Sequence, residues 1–209
     1  MLFRSQLWKA VLLACALSAC GGTSVKQPSK QERTEEVSRI KTQLALEYMR
    51  AKDYRLAVTT IEEALQADRK NEIAWLMRAQ IYQFLKVFDK AEASFREALQ
   101  LQPNGAEINN NYGWFLCSSM NNPNAAMPYF DKALSDPTYP APYVAYMNKG
   151  ICSAKMGQYS LSQAYLERGI ASAPDFMPLR RELAKTKMLA GQIKEADQLF
   201  AEPDRKSVV

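Results

Sequence analysis

From about residue 38 onward, bulky and small apolar side chains recur among polar ones with a period close to 34 residues. The clearest copy begins at Glu72, with bulky residues at repeat positions 4, 11 and 24 and small ones at positions 8, 20 and 27. Spacings of three and four residues place such side chains on one face of a helix. Each copy therefore predicts two amphipathic helices joined by a short turn. The residues at these positions are Trp75, Tyr82 and Phe95, and Ala79, Ala91 and Ala98.

Five copies begin at about residues 38, 72, 106, 143 and 177, and the third fits only if its turn, Ser118 to Asn124, holds one extra residue. One helix pair of this kind cannot bury its apolar face alone, so neighbouring pairs must stack. The period and the positions are typical of tetratricopeptide repeats. The sequence therefore predicts an all-α fold, a tetratricopeptide-repeat superhelix of helix-turn-helix hairpins over residues 38–203, followed by a tail at residues 204–209.

The first 19 residues differ in character from the repeats. Arg4 and Lys9 give a positively charged start, and the apolar run that follows, residues 10–17, is too short to span a bilayer as a permanent helix. The run ends in Leu17-Ser18-Ala19-Cys20, which resembles the lipobox of bacterial lipoproteins. The resemblance implies a signal peptide at residues 1–19, cleavage before Cys20 and a covalent lipid on Cys20, with a flexible tether up to residue 37. The alternative is an ordinary secretory signal with an incidental cysteine at the cleavage point.

The composition restricts the chemistry that the protein can perform. Among 209 residues there is no histidine, the side chain on which most acid–base catalysis near neutral pH and most zinc sites depend. Adjacent carboxylates such as Glu62 and Glu63 point in different directions from a helix, and the sequence contains no glycine-rich phosphate loop. We therefore predict no enzymatic activity, catalytic residue, metal site or small-molecule substrate, and no cofactor beyond the covalent lipid on Cys20.

The charge pattern argues against a nucleic-acid partner. The formal net charge of +5 falls to +3 when Arg4 and Lys9 leave with the signal peptide. Acidic and basic residues interleave along the rest of the chain, whereas a nucleic-acid-binding protein concentrates basic residues on one face. We therefore expect partners other than nucleic acid.

Two cysteines remain in the repeats once Cys15 leaves with the signal peptide and Cys20 is assigned to the lipid. Cys117 and Cys152 lie at repeat positions 12 and 10 on the first helices of neighbouring repeats, which pack side by side. In an oxidising compartment this placement predicts a disulfide, which would close a 35-residue loop and contribute roughly 3–4 kcal/mol in the chain-entropy model. The alternative is a pair of buried reduced cysteines that pack as small apolar side chains.

Repeat positions 2, 5, 9, 12 and 13 of the first helices are expected to face the concave side of the superhelix. Many of these side chains are apolar, unlike the lysine and asparagine clamp with which some repeats of this kind hold a peptide carboxylate. Such a groove suits an extended apolar segment or the apolar face of a partner helix. The alternative is that individual residues pack against a neighbouring helix. The candidate partner-binding residues are Leu46, Met49, Ile73, Leu76, Gln80, Phe84, Asn110 and Trp114.

Three stretches are more specific than generic repeats: NNYGWFLC at residues 110–117, DPTYP at residues 136–140 and NKGIC at residues 148–152. Together with the lipobox they resemble the PilW/PilF family of type IV pilus biogenesis and stability lipoproteins, over residues 10 to about 202. The resemblance implies a lipoprotein on the periplasmic face of the outer membrane. It also implies a pilotin, which helps the pilus secretin to assemble, to reach the outer membrane or to stay assembled. Cys117 and Cys152 resemble the cysteines of the disulfide-bearing branch.

The expected partners are therefore the outer-membrane secretin of the type IV pilus system and, through the lipid, the membrane itself. The residues alone leave a second function open. A generic periplasmic tetratricopeptide-repeat scaffold, organising another envelope or cell-wall complex, would have the same repeats and the same anchor.

Overall fold

A computed structural model describes residues 27–201, with side chains described as far as Leu199. Contacts place the described residues from Thr34 onward in one compact unit. The described residues form ten α-helices and no strand, which confirms the prediction of an all-α fold. None of these helices is long and apolar enough to cross a membrane. They are α1 (Lys30–Arg50), α2 (Tyr54–Ala67), α3 (Glu72–Phe84), α4 (Phe88–Leu101), α5 (Ala106–Ser118), α6 (Pro123–Leu134), α7 (Pro142–Lys155), α8 (Tyr159–Ser172), α9 (Met177–Leu189) and α10 (Ile193–Ala201).

Successive helices pair into five hairpins, from α1–α2 to α9–α10. The turn inside each hairpin has three residues, except that the α5–α6 turn has four, the extra residue that the shifted pattern predicts. One residue of each turn lies in the left-handed region, which reverses the chain within a few residues. These residues are Lys52 (φ 61°), Lys86 (φ 60°), Asn121 (φ 50°), Gly157 (φ 73°) and Gly191 (φ 79°).

Small residues at repeat position 8 let the helices of a hairpin approach closely. Ala45 and Ala79 occupy this position in the first two hairpins and are fully buried. In the third hairpin a Cβ added at Gly113 would lie 2.8 Å from the Phe130 ring, which is itself fully buried. Because a packed ring cannot move without disturbing its neighbours, only glycine fits at this position.

The first helix begins earlier than the sequence predicts. The tether was expected to reach residue 37, but α1 starts at Lys30, so that boundary is wrong by eight residues. The Ser29 hydroxyl accepts a bond from the Glu32 amide at 3.1 Å, and the Glu32 carboxylate accepts one from the Ser29 amide at 2.5 Å. This capping box, together with helix-forming Lys, Gln, Glu and Arg residues, starts a helix that has no apolar face in its first turns.

Two basic side chains at repeat position 7 link neighbouring hairpins. Arg78 of α3 donates to Glu62 of α2 at 2.8 Å and to Ser94 of α4 at 2.7 Å. Lys149 of α7 forms an ion pair with Asp131 of α6 and lies against an aromatic ring of α8. Each cation therefore contacts both the preceding hairpin and the second helix of its own hairpin.

Candidate partner-binding surface

An open cavity of about 340 Å³ lies between α1 and α3, and we refer to it as the α1–α3 cavity. Its walls are mainly the apolar side chains of Leu46, Ile73 and Met77. Because α1 and α3 are the first helices of adjacent hairpins, the cavity lies on the side of the stack where a partner was expected. The residues that line it are Arg39, Thr42, Gln43, Leu46, Asn71, Ile73 and Met77.

Two polar residues of the lining, Thr42 and Asn71, are bonded within the chain. The Thr42 hydroxyl donates to the Ser38 carbonyl at 2.8 Å. Asn71 caps α3 by accepting from the Ala74 amide at 2.9 Å, and its Nδ2 donates to the Ser38 hydroxyl at 2.9 Å. Apart from these groups, the lining holds the exposed Gln43 side chain and the Arg39 guanidinium, which pairs with Glu36, and the rest of the wall is apolar.

Two of the predicted partner-binding residues, Leu46 and Ile73, line this cavity, and Ile73 is 45% exposed. Met49 is half-buried and packs against the core. The prediction of an exposed groove residue is wrong for Leu76, which is 3% exposed, and for Asn110, which is 4% exposed. Both occupy repeat position 5, which is buried in the first three repeats because side chains there lie between adjacent first helices.

The other three predicted residues lie farther along α3 and α5, and none of them lines the α1–α3 cavity. Gln80 donates from Nε2 to Asn111 Oδ1 at 2.9 Å. Trp114 is half-buried against the cluster around the cysteines. Phe84 is 57% exposed, with its ring centroid 4.9 Å from that of Tyr54. The eight residues therefore do not form one continuous groove.

Polar bonds connect the first helices of successive hairpins, a feature that the sequence reasoning missed. Besides the bond from Gln80, Gln83 of α3 donates to Ser119, the residue after α5, at 3.1 Å. Asn148 of α7 donates to Asn110 of α5 at 3.0 Å, and both side chains are buried. The run of three asparagines near the start of α5 is the sequence signal for these bonds, because amide side chains that are buried there need hydrogen-bond partners.

The two cysteines of the repeats are joined in the structure. The Cys117 and Cys152 sulfurs are 2.04 Å apart and the Cα atoms 6.1 Å apart, which links α5 to α7. Both residues are fully buried. The Lys155 ammonium donates to the Cys117 carbonyl at 3.0 Å, so the same two helices are also connected beside the disulfide.

A second open cavity, of about 330 Å³, lies where two loops meet the start of α5, and we refer to it as the loop cavity. The α4–α5 loop, the α6–α7 loop and the first turn of α5 form most of its lining, and Ile73 of α3 completes it. Tyr139 in the α6–α7 loop is 9% exposed. Burial, together with the charge of Glu107 and the proximity of Tyr143, raises the pKa of Tyr139 to about 12.

Among the described side chains we find open cavities but no metal-binding cluster and no free thiol. Within residues 27–201, no three His, Cys, Asp or Glu residues lie close enough together to hold a metal ion. The two described cysteines are joined to each other. Cys20, to which the sequence assigns a lipid, lies outside the described residues.

Comparison with known proteins gives the same architecture. A model of the tetratricopeptide repeat matches residues 73–104, 106–135 and 143–176, and a second matches residues 42–83. The crystal structure of PilW, described as a widely conserved type IV pilus biogenesis factor, is 61% identical to this chain. The match covers 83% of this chain and 79% of that one, with a TM-score of 0.79.

Two more distant relatives also match. The structure of PilF from Pseudomonas aeruginosa is 23% identical over 81% of this chain and 77% of that one, with a TM-score of 0.73, and shows the fold alone. An uncharacterised protein of Haemophilus influenzae is 26% identical over 164 residues, which is 78% of this chain and 89% of that protein.

The stacked hairpins and the repeat matches define a tetratricopeptide repeat protein. Within this class, the chain belongs to the PilW-like family of type IV pilus biogenesis proteins.

Proposed function

We propose that this protein is a pilotin, a non-enzymatic lipoprotein that binds the outer-membrane secretin of a type IV pilus system and promotes its assembly, localisation or stability. The observation that carries the proposal is the 61% identity to PilW over 83% of this chain. Stacked helical repeats expose long surfaces and act mainly by binding other proteins, which supports a binding role over a catalytic one.

We assign secretin binding to the α1–α3 cavity. The Thr42 and Asn71 side chains of its lining are bonded within the chain, so a partner needs to supply hydrogen bonds to neither of them. An apolar side chain that covers Leu46 and Ile73 gains about 25 cal/mol for each Å² of apolar surface removed from water. The partner chemistry that fits is an extended apolar segment or the apolar face of a helix.

We also propose that Cys20 carries a covalent lipid that anchors the protein to the periplasmic face of the outer membrane. The Leu17-Ser18-Ala19-Cys20 motif supports this part of the proposal. Helix α1 begins at Lys30, ten residues after Cys20, and ten residues span at most about 35 Å. An anchored chain would therefore hold the start of α1 within that distance of the membrane surface.

A deletion strain tests the pilotin role. Complementation with the wild-type chain should restore heat-resistant secretin multimers on non-boiled gels and their recovery in the outer-membrane fraction. Cys20→Ala should restore neither fully, because the unanchored chain cannot concentrate the secretin at the membrane. Multimers that persist at normal abundance and location in the deletion strain would contradict the pilotin role and favour a scaffold for another envelope complex.

Paired charge substitutions test the assignment to the α1–α3 cavity. Leu46→Asp with Ile73→Asp should reduce capture of purified secretin at least about tenfold, because each carboxylate would be buried against an apolar partner. Leu161→Asp with Met188→Asp is the matched control, since Leu161 on α8 and Met188 on α9 are 40% and 51% exposed and lie outside the cavity. Equal capture by the double variant and the control, with helical circular dichroism intact in both, would place the binding site elsewhere.

A further inference from the structure

The loop cavity has features that the pilotin role does not use. Its lining combines two carboxylates, Glu107 and Asp136, with apolar surface from Ile73, Ile108 and Pro140. None of the described residues that line it is basic. The cavity therefore joins negative charge to apolar walls, and no cation of the lining balances that charge.

The carboxylate of Asp136 is held in a fixed orientation. Its Oδ1 accepts bonds from the Thr138 amide at 2.8 Å and from the Thr138 hydroxyl at 2.6 Å. These bonds lower the pKa of Asp136, so the side chain is ionised at neutral pH. Because both bonds from Thr138 go to Oδ1, Oδ2 can accept a hydrogen bond from a ligand.

The two loops that form the cavity are tied down from within the fold. Asn109 of α5 is fully buried and donates from Nδ2 to the Pro103 carbonyl at 3.0 Å and the Gly105 carbonyl at 2.8 Å, which fixes the α4–α5 loop. Tyr139 fixes the α6–α7 loop, because its ring packs with Ala106 and Ala145. A site whose walls are already fixed loses little entropy when a ligand enters.

From this combination of shape and charge we propose that the loop cavity is a binding site for a lysine or arginine side chain presented by an extended peptide segment of a partner protein. The methylene stem of such a side chain packs along Ile73 and Pro140, and its cationic head lies between Glu107 and Asp136. A volume of about 330 Å³ is at the lower end of the range for small-ligand pockets and suits one long side chain. The site shares Ile73 with the α1–α3 cavity, but its two carboxylates belong to the loop cavity alone, and the proposal does not depend on the identity of the secretin.

Surface plasmon resonance with the full chain immobilised tests the proposal. The probes are four blocked peptides of sequence Gly-Ala-X-Ala-Gly, in which X is arginine, lysine, norleucine or glutamate. The arginine and lysine peptides should bind with dissociation constants about five- to tenfold lower than the norleucine peptide, and the glutamate peptide should bind most weakly. Binding of the basic peptides should weaken when NaCl is raised to about 0.5 M, because an open ion pair is screened by salt.

A double variant, Glu107→Gln with Asp136→Asn, should remove the preference for the basic peptides. Asn at position 136 keeps an oxygen that can accept both bonds from Thr138, so the loop should keep its shape while losing its charge. Glu167→Gln with Asp175→Asn is the matched control, because both residues are exposed and lie outside the cavity, and the net charge changes by the same amount.

Three results would overturn the proposal. The first is a norleucine peptide that binds the wild-type chain as tightly as the basic peptides do. The second is an equal loss of binding in the cavity variant and in the matched control, which would indicate attraction to overall charge only. The third is binding of the basic peptides to the wild-type chain with a dissociation constant that does not change when NaCl is raised. This measurement does not need the variant, so it tests the proposal even if the variant fails to fold.

Discussion

Ile73 and Leu76 lie three residues apart on α3 and have opposite environments. Ile73 is 45% exposed at the wall of two cavities, whereas Leu76 is 3% exposed in the core cluster. Both are apolar residues of α3, the first helix of the second hairpin, at positions expected to face a partner. Only Ile73 is available for contact. Substitutions at the two positions therefore affect different properties of the protein.

Leu76→Glu should lower the free energy of unfolding by at least about 3 kcal/mol, because it buries an unpaired carboxylate and removes a packed side chain. Ile73→Glu should change it by less than about 1 kcal/mol, since the new side chain can reach water. Urea unfolding followed by helical circular dichroism measures both. Similar losses in the two variants would mean that Ile73 contributes to the core.

Tyr139 makes stability depend on alkaline pH. Its pKa is raised to about 12 by burial, Glu107 and Tyr143, whereas an unfolded tyrosine titrates near pH 10. The folded state favours the neutral phenol. The contribution of Tyr139 to the free energy of unfolding is therefore complete below about pH 10 and is lost as the pH rises toward 12. Between these values, the wild-type chain should lose about 2 kcal/mol more of its unfolding free energy than Tyr139→Phe. Urea unfolding of both chains at several pH values checks this, and parallel curves would contradict it.

At the scale of the helix pair, the close contact of α5 with α6 depends on Gly113. Alanine normally stabilises a helix interior by about 1 kcal/mol relative to glycine. Here Gly113→Ala should instead destabilise the protein by about 1–2 kcal/mol, because the new Cβ would meet the Phe130 ring at 2.8 Å. Thermal unfolding of the variant and the wild-type chain shows whether the substitution lowers or raises the stability.

A second substitution tests the cause of the Gly113→Ala effect. In a Phe130→Leu background the ring is gone, so Gly113→Ala should become neutral or stabilising. The coupling energy from the four-protein cycle isolates the contact between the two positions. Additive effects would indicate that the glycine is required for some other reason.

The disulfide acts between hairpins because it joins α5 to α7 across 35 residues. Cys117→Ala, Cys152→Ala and the double variant should each lower the free energy of unfolding by roughly 3–4 kcal/mol, since each removes the same loop constraint. A reducing agent should destabilise the wild-type chain and leave the double variant unchanged. Additive losses from the two single variants would show that side-chain packing, not the covalent bond, accounts for the effect.

The sequence predicts most of the helical framework, because the repeat pattern reports directly on packing. The predicted starts at 72, 106 and 177 coincide with the first residues of α3, α5 and α9. The start of α1 could not be found this way, since its first turns depend on the capping box between Ser29 and Glu32 instead of an apolar face.

The candidate site was less accessible to sequence reasoning. Repeat position alone does not say whether Leu76 or Asn110 is buried, because burial there depends on how neighbouring hairpins stack. The loop cavity depends on two loops, at residues 102–105 and 135–141, that carry none of the bulky or small positions by which the repeats are recognised. Such contacts arise only when the hairpins stack.

At the scale of the whole chain, the stability of stacked hairpins varies along the array, because each hairpin contacts mainly its neighbours. Helices α3 and α5 contribute many fully buried side chains, whereas among the described side chains of α10 only Ala196 is buried. Hydrogen exchange should therefore be fastest in α10 and slowest in α3 to α6. Mass spectrometry of peptides from each hairpin measures the order, and uniform protection would indicate a single cooperative unit.

Ile73 forms part of the wall of both the α1–α3 cavity and the loop cavity. Ligands that occupied both cavities would both contact Ile73, so a rotamer favoured by one ligand would affect the binding of the other. Such an effect is reciprocal: whatever factor the first ligand imposes on the affinity of the second, the second imposes on the affinity of the first. The two proposed recognition events would then be linked through one exposed isoleucine.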